Sequence, residues 1–139
     1  MQTFLPYSNF DVSAQCLDYR RLGKQRVEAW QILQAIRLNT GWRHHPIVKM
    51  WKNFEGALLL YGYSICNEWI KRGYKDTLKD RFLFELNQFQ KDKQVRIPLW
   101  IGNENFHASH RSNLLRKDYK WYSQFGWEES SDLPYVWVV

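Results

Sequence analysis

Between residues 46 and 72 apolar side chains recur at steps of three and four, as Ile47, Trp51, Phe54, Leu58, Tyr61, Ile65 and Trp69. That spacing lays one stripe along an α-helix, and a helix with one apolar stripe must bury it against neighbours. Pro46 suits a first turn, where its missing N–H is not needed, and Lys71, Arg72 and Gly73 are typical of a helix end. The stripe predicts a single central helix of about 27 residues, around which the remainder of the chain must pack.

The other segments read the same way. Asp11 is an expected N-cap for a helix running to Leu38, with Gly23 a place where it can bend, and Asn39 to His44 is a loop. Thr77 is expected to cap a third helix bearing Leu78, Phe82, Leu86 and Phe89, stopped by Lys91, Asp92 and Lys93. Gln94 to Asn105 reads as a connector, extended over Val95 to Trp100 because Pro98 argues against helix. A helix over Phe106 to Lys117, an aromatic-rich turn or short helix, and an extended tail from Leu133 to Val139 complete the chain. The expectation is an all-α fold, residues 1–139 forming one domain of three to four main helices with an extended aromatic C-terminal tail.

Net charge is +6 and aromatic residues make up 17% of the sequence, many of them next to Lys or Arg. That pairing suits a polyanionic partner with exposed rings, which points to nucleic acid. Cys16 and Cys66 are too few for a disulfide framework, so a reducing compartment is expected. No apolar run is long enough to cross a bilayer, and the start has no signal-peptide pattern; a cytoplasmic monomer without a membrane partner is expected. No Gly-rich phosphate loop, dinucleotide fingerprint or nucleophile elbow occurs, and no cofactor is expected. His107 and His110 have the spacing of two metal ligands on a helix, but nothing nearby supplies a third and fourth, so no metal is expected.

Two basic stretches carry the chemistry. From Arg20 to Glu28 a single carboxylate follows four cations, Arg20, Arg21, Lys24 and Arg26. On a helix Arg21, Lys24, Glu28 and Gln31 share one stripe, roughly 120° from the apolar stripe Leu22, Ala29, Leu33 and Ile36. An isolated acid on a cationic face is suited to a reaction on an anionic substrate; a plain Lys24–Glu28 surface pair is the bland alternative. The second stretch interleaves Arg111, Arg116, Lys117 and Lys120 with Tyr119, Trp121, Tyr122, Phe125 and Trp127. Cations there can neutralise phosphates and rings can stack on unpaired bases, with His110 on the same helix and Trp121 as a stacking ring. The alternative is that the rings close the core. His45, just before the central helix, can face a phosphate or a sugar, or simply serve as a cap.

Leu17-Asp-Tyr-Arg-Arg-Leu-Gly-Lys-Gln-Arg-Val-Glu28 with Gln31, His45-Pro46 with Trp51, Lys71-Arg-Gly-Tyr74, Trp121-Tyr122 and Phe125-Gly126 together resemble the pyrimidine-dimer DNA glycosylase family of the phage endonuclease V type. The resemblance implies a helical enzyme that turns a damaged nucleotide out of bent duplex DNA, releases the pyrimidine and, in the bifunctional form, cleaves the strand at the abasic site. It also implies an N-terminal amine attacking deoxyribose C1′ to form an imine, assisted by a helix-borne glutamate, for which Glu28 stands. An α-amino group, with a pKa of about 8 against about 10.4 for lysine, has more of the free base at neutral pH. Gln2 is bulky and would normally keep Met1 in place, with processing of Met1 left open, so the expected nucleophile is the Met1 amine, or Lys24 set among Arg20 and Arg21, or water. Arg20, Arg21, Arg26, Arg111, Arg116, Lys117 and Lys120 would hold the DNA backbone, with Gln31 and His45 near the acid. A non-catalytic module for damaged or single-stranded DNA is the alternative function.

Overall fold

The computed structural model describes residues 1–92 and 94–138. It is all-helical, and among the described residues it has seven α-helices, more than the three to four expected from the pattern. The extra helices arise where two expected segments break. The first splits into α1 (Phe10–Cys16) and α2 (Tyr19–Leu38). Asn9, rather than Asp11, caps α1 by accepting from Val12 N at 3.0 Å. Leu17 then turns extended and Asp18 caps α2, accepting from the Arg21 amide. A buried aspartate that satisfies a helix start is a stronger instruction than continued periodicity.

The central segment likewise splits into α3 (Pro46–Trp51) and α4 (Glu55–Lys71). Asn53 adopts a left-handed backbone (φ 73°), which Asn tolerates better than most residues, and the Phe54 amide closes back on Trp51 O at 2.8 Å. The break leaves the stripe intact: Ile47, Trp51, Leu58, Tyr61 and Ile65 are all fully buried. Each of the aliphatic members contributes about 1.5–3 kcal/mol through burial. Helix α4 packs against α1, α2 and α5 (Lys79–Asp92). Asp76, not Thr77, caps α5, accepting from Lys79 N at 2.6 Å. Lys93 and Val139, which the sequence assigned to a helix stop and to the tail, lie outside the described residues. The expected loop at 39–44 contains a 3-10 turn, Gly41–His44.

Gly62 of α4 faces Phe82 of α5 so closely that an added Cβ would lie 2.4 Å from Phe82 Cε1. Helix α2 runs unbroken through Gly23, whose missing side chain lets it approach Trp69: the Trp69 ring would stand 2.9 Å from an added Cβ.

Helix α6 (Glu104–Lys117) begins at an Asn103 cap, and α7 (Tyr119–Tyr122) follows it directly. Nine of the 14 residues of α6 are buried, and His107, His110, Arg111 and Asn113 are among them. These polar groups serve the two extended ends of the chain. Leu5 N donates to His110 Nδ1 at 2.9 Å, His107 Nδ1 lies 2.8 Å from Leu5 O, and Arg111 Nη1 donates to Pro6 O at 2.7 Å. On the other side Ser109, Ser112, Asn113 and Arg116 bind the backbone of residues 130–136.

Gly62→Ala should lower stability by about 1–2 kcal/mol in urea unfolding, because overpacking against the immobile Phe82 ring outweighs the gain in helix propensity. His110 is fully buried and burial lowers it from 6.5 to about 3. The folded state therefore refuses a proton that the unfolded chain binds below pH 6.5, so stability is greatest above 6.5 and falls as pH drops toward 3. Between pH 6.5 and 5, where most carboxylates stay ionised, the urea midpoint should fall in the wild type and fall less in His110→Gln.

Candidate active site

Helix α2 presents Arg21, Lys24 and Glu28, spaced three and four residues apart, to one cleft of about 1270 Å³. Met1 and Gln2 of the N-terminal segment line the same cleft, as do Lys117, Trp121 and Tyr135 from the second half of the chain. The volume exceeds that of an ordinary small-molecule pocket, roughly 300–1,000 Å³, and suits a nucleotide with flanking phosphates.

Glu28 is half-buried there, and no ion pair joins it to Lys24 or to any other described cation. Its Oε2 accepts from Gln25 Nε2 at 3.0 Å and stands 3.4 Å from the Gln2 amide. Gln25 holds that arrangement together. Its Nε2 also donates to Gln2 O at 2.8 Å, while its Oε1 accepts from Phe4 N at 2.9 Å and from Tyr61 OH at 2.5 Å. The carboxylate is thus fixed relative to the Met1–Gln2 peptide, one residue from the Met1 amine.

The surroundings are cationic. Arg20 and Lys24 are exposed at the rim, and Arg21 is paired with Asp18 at 3.1 Å. Lys117 is pushed below the usual lysine range, first by burial and then by Arg21, Arg116 and Lys24. His45 caps α3, its Nδ1 accepting from Ile47 N at 3.0 Å. It is lowered first by burial and then by the N-terminal ammonium, with Glu28 opposing. Its ring stands between Trp42 at 5.9 Å and Trp137 at 5.8 Å. Trp121 is anchored by donation from Nε1 to Cys16 O at 2.8 Å.

Among the residues picked from sequence, the fold gathers Met1, Arg20, Arg21, Lys24, Glu28, Lys117 and Trp121 around this cleft, with His45 close by. Gln31 and Lys120 are exposed but do not line it. Four others are already bonded within the molecule, His110 and Arg111 buried, Arg26 half-buried and Arg116 exposed. Arg26 bonds Asp76 at 2.5 Å and stacks on Trp69 at 4.6 Å. Arg111 joins Glu104, Glu129 (2.5 Å) and Pro6 O. His110 is fully buried, and Arg116 holds Asn113 and Ser131 O. The partners of Arg26 and His110, and Pro6 O for Arg111, are distant in sequence, whereas Glu104 and Asn113 are local. His107 and His110 are not joined into a metal cluster; no group of three or more ligating side chains occurs among the described residues.

Gln25 and Tyr135 were not picked out. Gln25 was detectable as a polar residue three positions after Leu22 on the buried stripe; Tyr135 had no local signal.

A family model described as pyrimidine dimer DNA glycosylase matches residues 1–82. No curated protein and no solved structure matches the chain. The matched segment contains Glu28, Gln25 and the N-terminal residues that contact them, and it covers more than half of the 139 residues; the chain belongs to the pyrimidine dimer DNA glycosylase family.

Proposed function

We propose that this chain excises a damaged pyrimidine from DNA, with Glu28 and the Met1 amine acting on the sugar of a nucleotide turned out of the duplex. The observation that carries the reading is the contact of Glu28 Oε2 with the Gln2 amide at 3.4 Å, inside a cleft rimmed by Arg20, Arg21, Lys24 and Lys117. The family match supports base excision, and the cationic rim supports a DNA substrate.

In this reading the amine lone pair forms a bond to deoxyribose C1′ as the glycosidic C1′–N1 bond breaks, and that electron pair leaves with the base. The surplus proton on the amine passes to Glu28, whose charge also offsets the positive charge on the sugar. The C1′–O4′ bond then breaks as the nitrogen lone pair forms the C1′=N bond, its electron pair goes to O4′, which takes the proton held by Glu28, and strand cleavage can follow from the resulting imine. Lys24 lines the same cleft and is the other amine within the proposal. Arg20, Arg21 and Lys117 hold phosphates, Trp121 offers a ring to the opened helix, and His45, Gln31 and Lys120 extend the contact surface.

Glu28→Gln can still accept from Gln25 and from the Gln2 amide, so it should fold normally. Glycosidic-bond cleavage in a duplex carrying one cyclobutane pyrimidine dimer, where the detached base stays joined to its neighbour through the cyclobutane ring, should fall about 100-fold or more with DNA affinity unchanged or higher; undiminished cleavage refutes the role. Intact mass identifies the residue bearing the amine, and borohydride trapping on the same duplex should give a covalent adduct at that residue. Mapping to Lys24 moves the nucleophile, glycosidic-bond cleavage without an adduct assigns water, and binding without cleavage favours the non-catalytic module. Lys117→Ala should weaken DNA binding across sequences and reduce the slope of log K against log salt by about 1. Arg111→Ala should instead lower the thermal midpoint, since it leaves Glu129 and Pro6 O unpartnered.

A further inference from the structure

Several side chains on the wall of the cleft have no task in the base-excision scheme, and Tyr135 is the one among them held in place by the C-terminal tail. Tyr135 lines the cleft with Glu28 and Met1, although it belongs to the irregular C-terminal tail. The tail is held to α6 at successive turns. Asn113 Nδ2 donates to Leu133 O at 3.0 Å, Leu133 N donates to Ser112 Oγ at 3.0 Å, and Val136 N donates to Ser109 Oγ at 3.2 Å. These bonds bracket Tyr135. Its ring meets His110 edge-on at 5.5 Å and lies 5.6 Å from Trp137, contacts that fix where the hydroxyl stands.

The buried phenols nearby are engaged: Tyr61 with Gln25 and Phe4 O, Tyr122 with Asp18. The Tyr135 hydroxyl makes no hydrogen bond to any described residue, and it is not a buried unpartnered atom either. It is therefore open to a ligand in the cleft. Burial raises it to about 12, with Arg116 and Arg21 opposing and Glu28 adding to the shift, so it stays a protonated donor across the neutral range.

Breaking a glycosidic bond moves an electron pair onto the departing pyrimidine, and its carbonyl oxygens gather the charge. A fixed donor at such an oxygen lowers the barrier, because the interaction strengthens as the charge develops. The lysines and arginines of the rim suit phosphates; a neutral phenol is the better match for a ring carbonyl. We propose that Tyr135 is a further catalytic residue, its hydroxyl donating a hydrogen bond to a carbonyl oxygen of the leaving pyrimidine while Glu28 serves the sugar. The inference rests on the base-excision reading above. The phenol keeps its proton, the base takes one from solvent after departure, and the proton of the nucleophile goes to Glu28.

Tyr135→Phe removes the hydroxyl and keeps the ring against His110 and Trp137. Single-turnover glycosidic-bond cleavage in the dimer duplex should slow roughly 100-fold, the usual cost of one such donor. The dissociation constant for that duplex and the thermal midpoint should stay unchanged. Cleavage of a duplex with a preformed abasic site should also be unchanged, since no base departs from it. Undiminished glycosidic-bond cleavage overturns the inference, as does a loss matched by weaker binding, a lower midpoint or equally slow abasic cleavage. A wild-type chain that cleaves no glycosidic bond in the dimer duplex overturns the base-excision reading and this inference with it; an active wild type with an equally active Tyr135→Phe overturns this inference alone.

Discussion

Residues 2–6 run through the interior without belonging to a helix, and the rest of the molecule is organised by the need to satisfy their peptide groups. Buried N–H and C=O groups without partners cost free energy on the scale of a lost hydrogen bond. Here side chains supply those partners. Gln25 and Glu28 reach them from α2, Tyr61 from α4, and His107, His110 and Arg111 from α6, while Trp51 of α3 holds the Thr3 hydroxyl at 3.0 Å. Four helices thus converge on one strand-like segment. The same convergence sets the start of the chain beside Glu28.

Helix α6 acts as the intermediary between the two extended ends. A helix buried on most sides is ordinarily apolar, yet this one is rich in His, Ser, Asn and Arg because both of its neighbours are irregular backbone that must be hydrogen-bonded. The N-terminal segment takes up His107, His110 and Arg111; the tail takes up Ser109, Ser112, Asn113 and Arg116. His110 Nε2 is the one nitrogen of that row left buried without a partner. Neutral imidazoles are required on both histidines, since Leu5 N donates to His110 and Gly102 N donates to His107 Nε2.

What the sequence revealed and what it hid follow from this design. The stripe from Ile47 to Trp69 and the isolated acid at Glu28 were legible because periodicity and charge asymmetry are local properties. The break at Leu17–Asp18 was not, since it depends on Asp18 being capped into α2 and bonded by Tyr122, 104 residues away. Arg26 and Arg111 look like phosphate ligands in one dimension, yet Asp76 lies 50 residues from the first and Glu129 18 from the second. Gln25 interrupts an apolar stripe, and only the path of residues 2–4 explains why a glutamine stands there.

The cleft is assembled from two stretches of chain with separate duties. Glu28 and the N-terminal segment sit in the first 82 residues, where the family match lies, while Lys117, Trp121 and Tyr135 come from beyond it. Tyr135 of the tail nevertheless touches His110, which holds the Leu5 amide, so the two stretches are joined through α6. The two ends of the chain are therefore mechanically coupled at this opening, and a substitution in one is felt by the other.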